Sequence, residues 1–252
     1  MNLLKISAVS YLNTFPFVYG ILKSGYLENF RLDLDVPSVC AEKLKNGEVD
    51  VALVPVGAFP DFKNPVMISE YCIGSVGKVK TVLLLSQKPL EHIQNIYLDF
   101  DSRTSVKLVK VLAKYYWNIA PNWNNLNPGQ SDRPDKLESL VAIGDKTFEL
   151  VKQYKYIFDL SEEWIRFTGM PFVFAVWLSK KQLIANFKDQ LNEALSYGLK
   201  HKAESLEYYK EKLPASIDCL SYLENNISYH FDEEKKKGLE LFLRYISGNY
   251  RI

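Results

Sequence analysis

Three cysteines and three histidines are all that 252 residues hold of the side chains that most often bind metals or act as nucleophiles at neutral pH. Cys40, Cys72 and Cys219 are odd in number, far apart and in no metal-ligand spacing. They spell neither a zinc site nor a disulfide framework, and the expectation is three reduced core thiols of a cytoplasmic protein. His92, His201 and His230 fall in separate helical or loop contexts and are expected at the surface. No stretch approaches the ~20 apolar residues a membrane-spanning helix requires. The apolar part of "MNLLKISAVSYLN" is too short for a signal peptide, and no small-residue cleavage site follows. Charge excess is missing as well. Lys and Arg total 31 against 30 Asp and Glu, so no field gathers nucleic acid or an anionic membrane. The run "DEEKKKG" at 232–238 mixes signs and reads as a solvated helix face. G-x-S-x-G, a P-loop and G-x-G-x-x-G are all absent, which removes the hydrolase, NTPase and dinucleotide readings. There are no internal repeats and no low-complexity tracts.

What remains is an ordinary globular composition, 47% hydrophobic and 24% charged. The first 85 residues alternate strand and helix patterns. Strand 3–9 leads to helix 14–24, strand 30–36 to helix 37–46, and Gly47 precedes a buried strand at 49–56. Such β-α-β-α-β order predicts a parallel sheet with right-handed crossovers. "YCIGSVG" reads as a tight turn before strand 80–86. A second series follows: strand 95–100, an amphipathic helix 102–117, a loop 118–135, strand 139–145 and a helix to about Tyr154. Strand 172–179 precedes a nearly all-helical tail at 181–202, 203–212, 216–227 and 231–247. Two such series predict two lobes, residues 1–85 with 177–252 and residues 86–176. Strands 80–86 and 172–179 would be the crossovers, with a ligand cleft between the lobes.

Three strand-to-helix junctions carry polar side chains that such a cleft would use. In "SAVSYLNTFPF" (7–17), a buried strand ends in Ser10, Tyr11, Asn13 and Thr14. Helix capping by Asn and Thr explains them, with Pro16 in the first turn; so does a ligand at the carboxyl end of a strand. In "DFDSRTSVKL" (99–108), Ser102, Arg103, Thr104 and Ser105 crowd one helix start. A helix N-terminus carries about half a positive charge and unpaired N–H groups, which suits a carboxylate. A capping cluster with Arg103 paired to Asp99 or Asp101 is the alternative. In "AIGDKTF" (142–148), Gly144 allows close backbone approach, or Asp145 simply caps the next helix. "WIRFTGMPFVFAVW" (164–177) is read mostly as core, with Gly169-Met170-Pro171 a possible cleft wall. Glu162 and Glu163 are candidate bases or an exposed helix start.

Taken together, "ISAVSYLNTFP", "PSVCAEKLKNGEVDVALVPV", "CIGSVGKVKTVLLLS", "DSRTSVKL", "LVAIGDKTF" and "FTGMPFVFAVW" resemble the menaquinone-biosynthesis family that dehydrates chorismate at the head of the futalosine route. The resemblance spans residues 5 to about 180 in consistent order. It implies an α/β, two-lobed type II periplasmic-binding-protein-like fold with a helical C-terminal tail, used by a cytoplasmic enzyme. It implies a catalytic role for Asn13, and for a hydroxyl at Thr81, where some relatives have Ser. The candidate substrate-binding residues are Ser10, Ser38, Pro55, Val56, Ser102, Arg103, Thr104, Ser105, Gly144 and Asp145. Chorismate is the implied partner of a monomer or homodimer, and no metal or organic cofactor is required. With no histidine at a strand end of the cleft, the substrate's own enolpyruvyl carboxylate is the expected base. The sister enzyme that forms 1,4-dihydroxy-6-naphthoate has a different N-terminal pattern and is expected to use a histidine. A solute-binding protein would need an export signal, and a ligand-sensing regulator a helix-turn-helix.

Overall fold

The computed structural model describes residues 3–99, 102–126, 137–180, 183 and 186–247. In the first series, Leu4–Val9 (β1) leads through a 3₁₀ turn at Leu12–Thr14 into Phe15–Lys23 (α1). Phe30–Asp35 (β2), Pro37–Asn46 (α2) and Val51–Pro55 (β3) follow, and then the long strand Val66–Ser75 (β4). The second series is Val82–Ser86 (β5), Asn95–Leu98 (β6), Arg103–Tyr115 (α3), Asn122–Asn125 (β7), Ser139–Ile143 (β8), Thr147–Leu150 (α4), Tyr156–Asp159 (β9) and Leu160–Thr168 (α5). Phe172–Ser179 (β10) returns the chain, and the tail is Phe187–Lys200 (α6), Lys202–Tyr208 (α7), Cys219–Asn225 (α8), Ser228–His230 (β11) and Glu233–Ile246 (α9).

These elements form two mixed sheets. The six-stranded sheet runs β11-β4-β10-β3-β1-β2 and the five-stranded sheet β7-β6-β8-β5-β9. The parallel register expected of the first series is present, with β1 between β2 and β3. β10 is buried along its whole length and runs antiparallel between β3 and β4. An all-apolar strand of this kind needs cover on both faces, and the core supplies it.

Sheet membership moves the expected boundaries. β5 pairs with β8 and β9, so it belongs wholly to the second sheet rather than crossing from the first. The chain passes over between Ser75 and Val82, not at 85/86, and returns between Thr168 and Phe172, not at 176/177. An unbroken apolar run shows that a strand is buried but carries no label for which sheet buries it. Of "YCIGSVG", read as a tight turn, residues 71–75 are the end of β4 and only Val76 and Gly77 form the bend. A Cβ on Gly74 would lie 2.9 Å from the Phe172 carbonyl oxygen and 3.2 Å from that of Ser228, so its bareness lets both neighbouring strands close in. β7, read as loop, is the polar edge strand "NWNN", whose sequence has no period-two apolar signal. β9 and β11, at four and three residues, were equally silent in the pattern. Parts of the expected loop 118–135 and helix 181–202 lie outside the described residues.

The tail packs on the first sheet. α6 lies against α1 so closely that a Cβ on Gly198 would fall 1.8 Å from the Pro16 carbonyl oxygen. Cys40, Cys72 and Cys219 are free and buried. Burial pushes the thiols of Cys40 and Cys72 up to about 12. His92 and His230 are exposed and His201 is half-buried. Among the described residues, no helix is long and apolar enough to cross a membrane.

Candidate functional site

The carboxyl ends of β1, β3 and β8 and the start of α3 converge on one cleft. Of the residues singled out in the sequence, Tyr11, Asn13, Thr14, Pro55, Thr81, Ser102, Thr104, Ser105 and Gly144 line it. Pro37, Phe174 and Ala175 line it too, with apolar side chains from β1, β4, β5 and β8 completing the walls. Phe174 and Ala175 were read as core. They sit on β10 where it passes under the cleft, and no pattern separates a cavity floor from a core strand.

Asn13 projects from the turn after β1. Its Oδ1 accepts from the Thr14 hydroxyl at 3.1 Å, and its backbone carbonyl accepts from the Tyr229 hydroxyl at 2.9 Å. Neither Asn13 nor Thr14 gives α1 a side-chain cap. The two side chains bond to each other, which corrects the capping reading of this stretch; Pro16 does occupy the first turn.

Thr81 is buried, and its Oγ1 lies 2.8 Å from the Tyr222 hydroxyl of α8. Among the described residues, its other partner is the Val79 carbonyl, at 3.4 Å. Desolvation raises the Tyr222 phenol above its ordinary 10.0, Asp145 adds to the rise, and hydrogen bonding from Thr81 and from the Asn13 side chain opposes it. Tyr222 therefore stays protonated through the neutral range.

The start of α3 forms the opposite wall. Ser102 is the N-cap, its Oγ accepting from the Ser105 N–H at 3.0 Å and donating to the Ser105 Oγ at 2.7 Å. Thr104 is committed elsewhere: its hydroxyl accepts from the Gly57 N–H at 3.0 Å and donates to the Phe174 carbonyl at 3.2 Å. This fastens α3 to the first sheet and leaves no hydrogen for a ligand. Arg103 turns away from the cleft to pair with Asp61 and Glu42, not with Asp99. Asp101 lies outside the described residues.

Gly144 adopts φ +72°, and a Cβ there would meet the Tyr11 ring at 2.9 Å. Its open face is thus filled by a side chain from the other sheet. Asp145 does not line the cleft and caps no helix; its carboxylate accepts from the Leu12 N–H at 3.0 Å. Desolvation raises it above its ordinary 3.8, and the Leu12 bond partly offsets this. Ser10 donates its N–H to Asp35, Ser38 is half-buried in the first turn of α2, and Val56 is fully buried; none of the three lines the cleft.

The other candidates lie apart. Glu162 pairs with Lys78 and Arg166. Glu163 is buried, not exposed, and accepts from the Trp117 indole N–H at 2.9 Å and from Arg166 at 2.7 Å. Gly169-Met170-Pro171 ends α5 and packs on α9 at Gly238 instead of walling the cleft. Among the described residues, no group of three or more His, Cys, Asp or Glu is placed to hold a metal.

The cleft thus offers an amide, hydroxyls and a helix N-terminus on an apolar frame. No described residue lining it has a side chain that is a base at neutral pH. It can orient an anion and donate hydrogen bonds to it.

Comparison with known proteins follows the same lines. The chain is 26% identical over 239 residues to the chorismate dehydratase of Thermus thermophilus, covering 86% of each chain. Among solved structures, it superposes on an Archaeoglobus fulgidus protein with a TM-score of 0.75 at 11% identity, covering 97% of both chains. It also superposes on a Candida albicans protein described as having the generic periplasmic-binding-protein fold, with a TM-score of 0.61 at 14% identity over 100% of this chain and 96% of that one. The aliphatic sulphonate-binding protein of Escherichia coli gives a TM-score of 0.57 at 14% identity over 97% and 92%. The fold is therefore the two-lobed periplasmic-binding-protein type with a helical tail. Residues 4–247 match the menaquinone biosynthesis family, and the chain belongs to it.

Proposed function

We propose that this protein is a chorismate dehydratase, eliminating water from chorismate to give 3-[(1-carboxyvinyl)oxy]benzoate. Membership of the menaquinone biosynthesis family and likeness to the Thermus thermophilus enzyme support the reading. The observation that carries it is the cleft, whose described lining can hold and orient an anion but offers no base of its own.

Chorismate suits such a cleft because it brings the missing group. Its ring carboxylate acidifies the C3–H bond through the conjugated double bond, and its enolpyruvyl carboxylate can be held over that hydrogen. The C3 proton passes to this carboxylate, the C3–H electron pair becomes ring π density, and the C4–O bond breaks. The departing hydroxide and the proton leave as water, and aromatisation supplies the driving force. Well-held groups reach effective molarities of about 10⁵ M or more, so positioning can supply most of the catalysis. In this reading one carboxylate lies at the start of α3 near Ser102 and Ser105. Asn13 and Thr81 face the reacting edge, where each can donate to the leaving oxygen or to the basic carboxylate.

The test is incubation of the purified protein with chorismate, followed by mass spectrometry. The expected result is loss of chorismate with appearance of 3-[(1-carboxyvinyl)oxy]benzoate. Unchanged chorismate would overturn the reading. If chorismate binds without turnover, the chain is a binding protein; a naphthoate formed from a later intermediate would make it the sister enzyme.

A further inference from the structure

Two residues singled out for chemistry, Asn13 and Thr81, come from different parts of the chain, and each is bonded by a tyrosine near the helical tail, Asn13 by Tyr229 and Thr81 by Tyr222. We infer that Tyr222 is a positioning residue: its hydroxyl donates to the Thr81 Oγ1 and so turns the Thr81 hydrogen into the cleft. The inference rests on the dehydratase reading for what that hydrogen does, but not for the arrangement itself.

The geometry assigns each hydrogen in turn. Asn13 Oδ1 already accepts from the Thr14 hydroxyl, so the amide presents its NH₂ group to other partners. Only one hydrogen can lie in the 2.8 Å gap between Tyr222 and Thr81. The phenol is the stronger donor and the aliphatic hydroxyl the stronger acceptor, so that hydrogen belongs to Tyr222. The Thr81 hydrogen is left with the Val79 carbonyl at 3.4 Å, a length at the limit of hydrogen bonding, and an oxygen of a bound substrate readily outcompetes it.

The scaffold around Tyr222 is rigid. The ring is 3% exposed and stands edge-on to Phe148, with centroids 5.3 Å apart at 86°. A few residues further on, Tyr229 holds the backbone carbonyl of Asn13. The C-terminal part of the chain thus bonds the Asn13 backbone and the Thr81 hydroxyl. That gives it a part in the site that no motif in "CLSYLEN" announces.

The experiment combines turnover of chorismate by wild type, Tyr222→Phe, Thr81→Ala and the double variant with thermal melting. Tyr222→Phe keeps the ring and is expected to melt close to wild type, while its kcat falls about tenfold or more and its KM stays within about threefold. Because Tyr222 acts through Thr81, the double variant should be no slower than Thr81→Ala alone. Wild-type kcat in Tyr222→Phe, or a double variant showing the product of the two single losses, overturns the inference. A second readout needs no substrate: ring ζ-¹³C tyrosine NMR, with the Tyr222 signal identified by its contact with Phe148. That signal should move in Thr81→Ala. If wild type does not convert chorismate, the dehydratase reading fails and these spectra alone decide, as they do if Tyr222→Phe does not fold. A signal unmoved in Thr81→Ala sinks the inference in every case.

Discussion

The Leu12 N–H donates to the Asp145 carboxylate, at 3.0 Å to one oxygen and 3.3 Å to the other, and so ties the end of β1 to the turn after β8. One residue away on each side, the Tyr11 ring covers Gly144. With Thr104 bonded to Gly57 and Phe174, and Arg103 paired with Asp61 and Glu42, the two sheets are fastened on both sides of the cleft. Apolar packing joins them as well, with Trp164 of α5 standing edge-on to Phe172 of β10 and to Phe242 of α9.

Asp145 should give this fastening a pH dependence. Burial raises its carboxyl above 3.8, so the folded chain keeps the proton to higher pH than the unfolded chain does. Its contribution to stability is therefore present at the acid end and is lost as pH rises through the folded value. Asp145→Asn keeps an oxygen for the Leu12 N–H and removes the titration. The Tm of this variant minus that of wild type should grow between pH 4 and pH 7. Asp159, also raised by burial, is present in both proteins and cancels. A difference that is flat across the range would show that Asp145 titrates as an ordinary exposed carboxylate.

Gly144→Ala tests the contact with Tyr11. A side chain at φ +72° costs about 1–2 kcal/mol on its own, and here the new methyl also meets a ring at 2.9 Å. The ring must shift, and the Leu12–Asp145 bond beside it with it. Lower Tm and a raised KM for chorismate are expected together. A variant that loses only the stability owed to its backbone, with KM unchanged, would mean that the Tyr11 seat does not shape the cleft.

Thr104 and Ser105 should separate cleanly although they are adjacent. Thr104→Val preserves shape but leaves the buried Gly57 N–H without its acceptor, a loss of about 1–3 kcal/mol in folding stability. Ser105 accepts from Ser102, and no described residue accepts its own hydrogen, which is free for a carboxylate. Ser105→Ala should weaken chorismate binding by about 1.5–3 kcal/mol, the range for hydrogen bonds to charged groups, with little change in melting. Calorimetry and thermal melts on both variants decide; the reverse assignment of effects would place the anion on Thr104 after all.

How far the sequence carried this site depends on the kind of signal each residue sends. Asn13, Thr81 and the Ser102–Ser105 cluster stand where strands end and helices begin, and polar residues at such junctions break an apolar pattern. Arg103 broke it too, yet its partners Asp61 and Glu42 are about 40 to 60 residues away in sequence, and no periodicity encodes such pairing. Tyr222 sent no signal, since an aromatic on an amphipathic tail helix reads as core. The parallel half of the first sheet was legible because β-α-β order dictates it. The antiparallel insertion of β10 between β3 and β4 was not, because a fully apolar strand fits any buried slot.

Asn13 remains the sharpest test of chemistry against folding. Because its side chain caps no helix, Asn13→Ala should cost far less than the ~1 kcal/mol typical of a lost cap, and its melt should lie close to wild type. The loss of kcat should nevertheless exceed about tenfold, since reacting groups displaced by about 1 Å can lose 10²-fold. Asn13→Asp is the harsher change. It replaces two N–H donors with a negative charge at a site proposed to hold a dianion. Turnover should fall further than in the alanine variant, while the bond from the Thr14 hydroxyl survives on either carboxylate oxygen. Chorismate turnover measured beside melting for both variants reads this directly. Full activity in well-folded Asn13→Ala would return this residue to the backbone of its turn and move the search for the orienting group to Thr81 and Ser105.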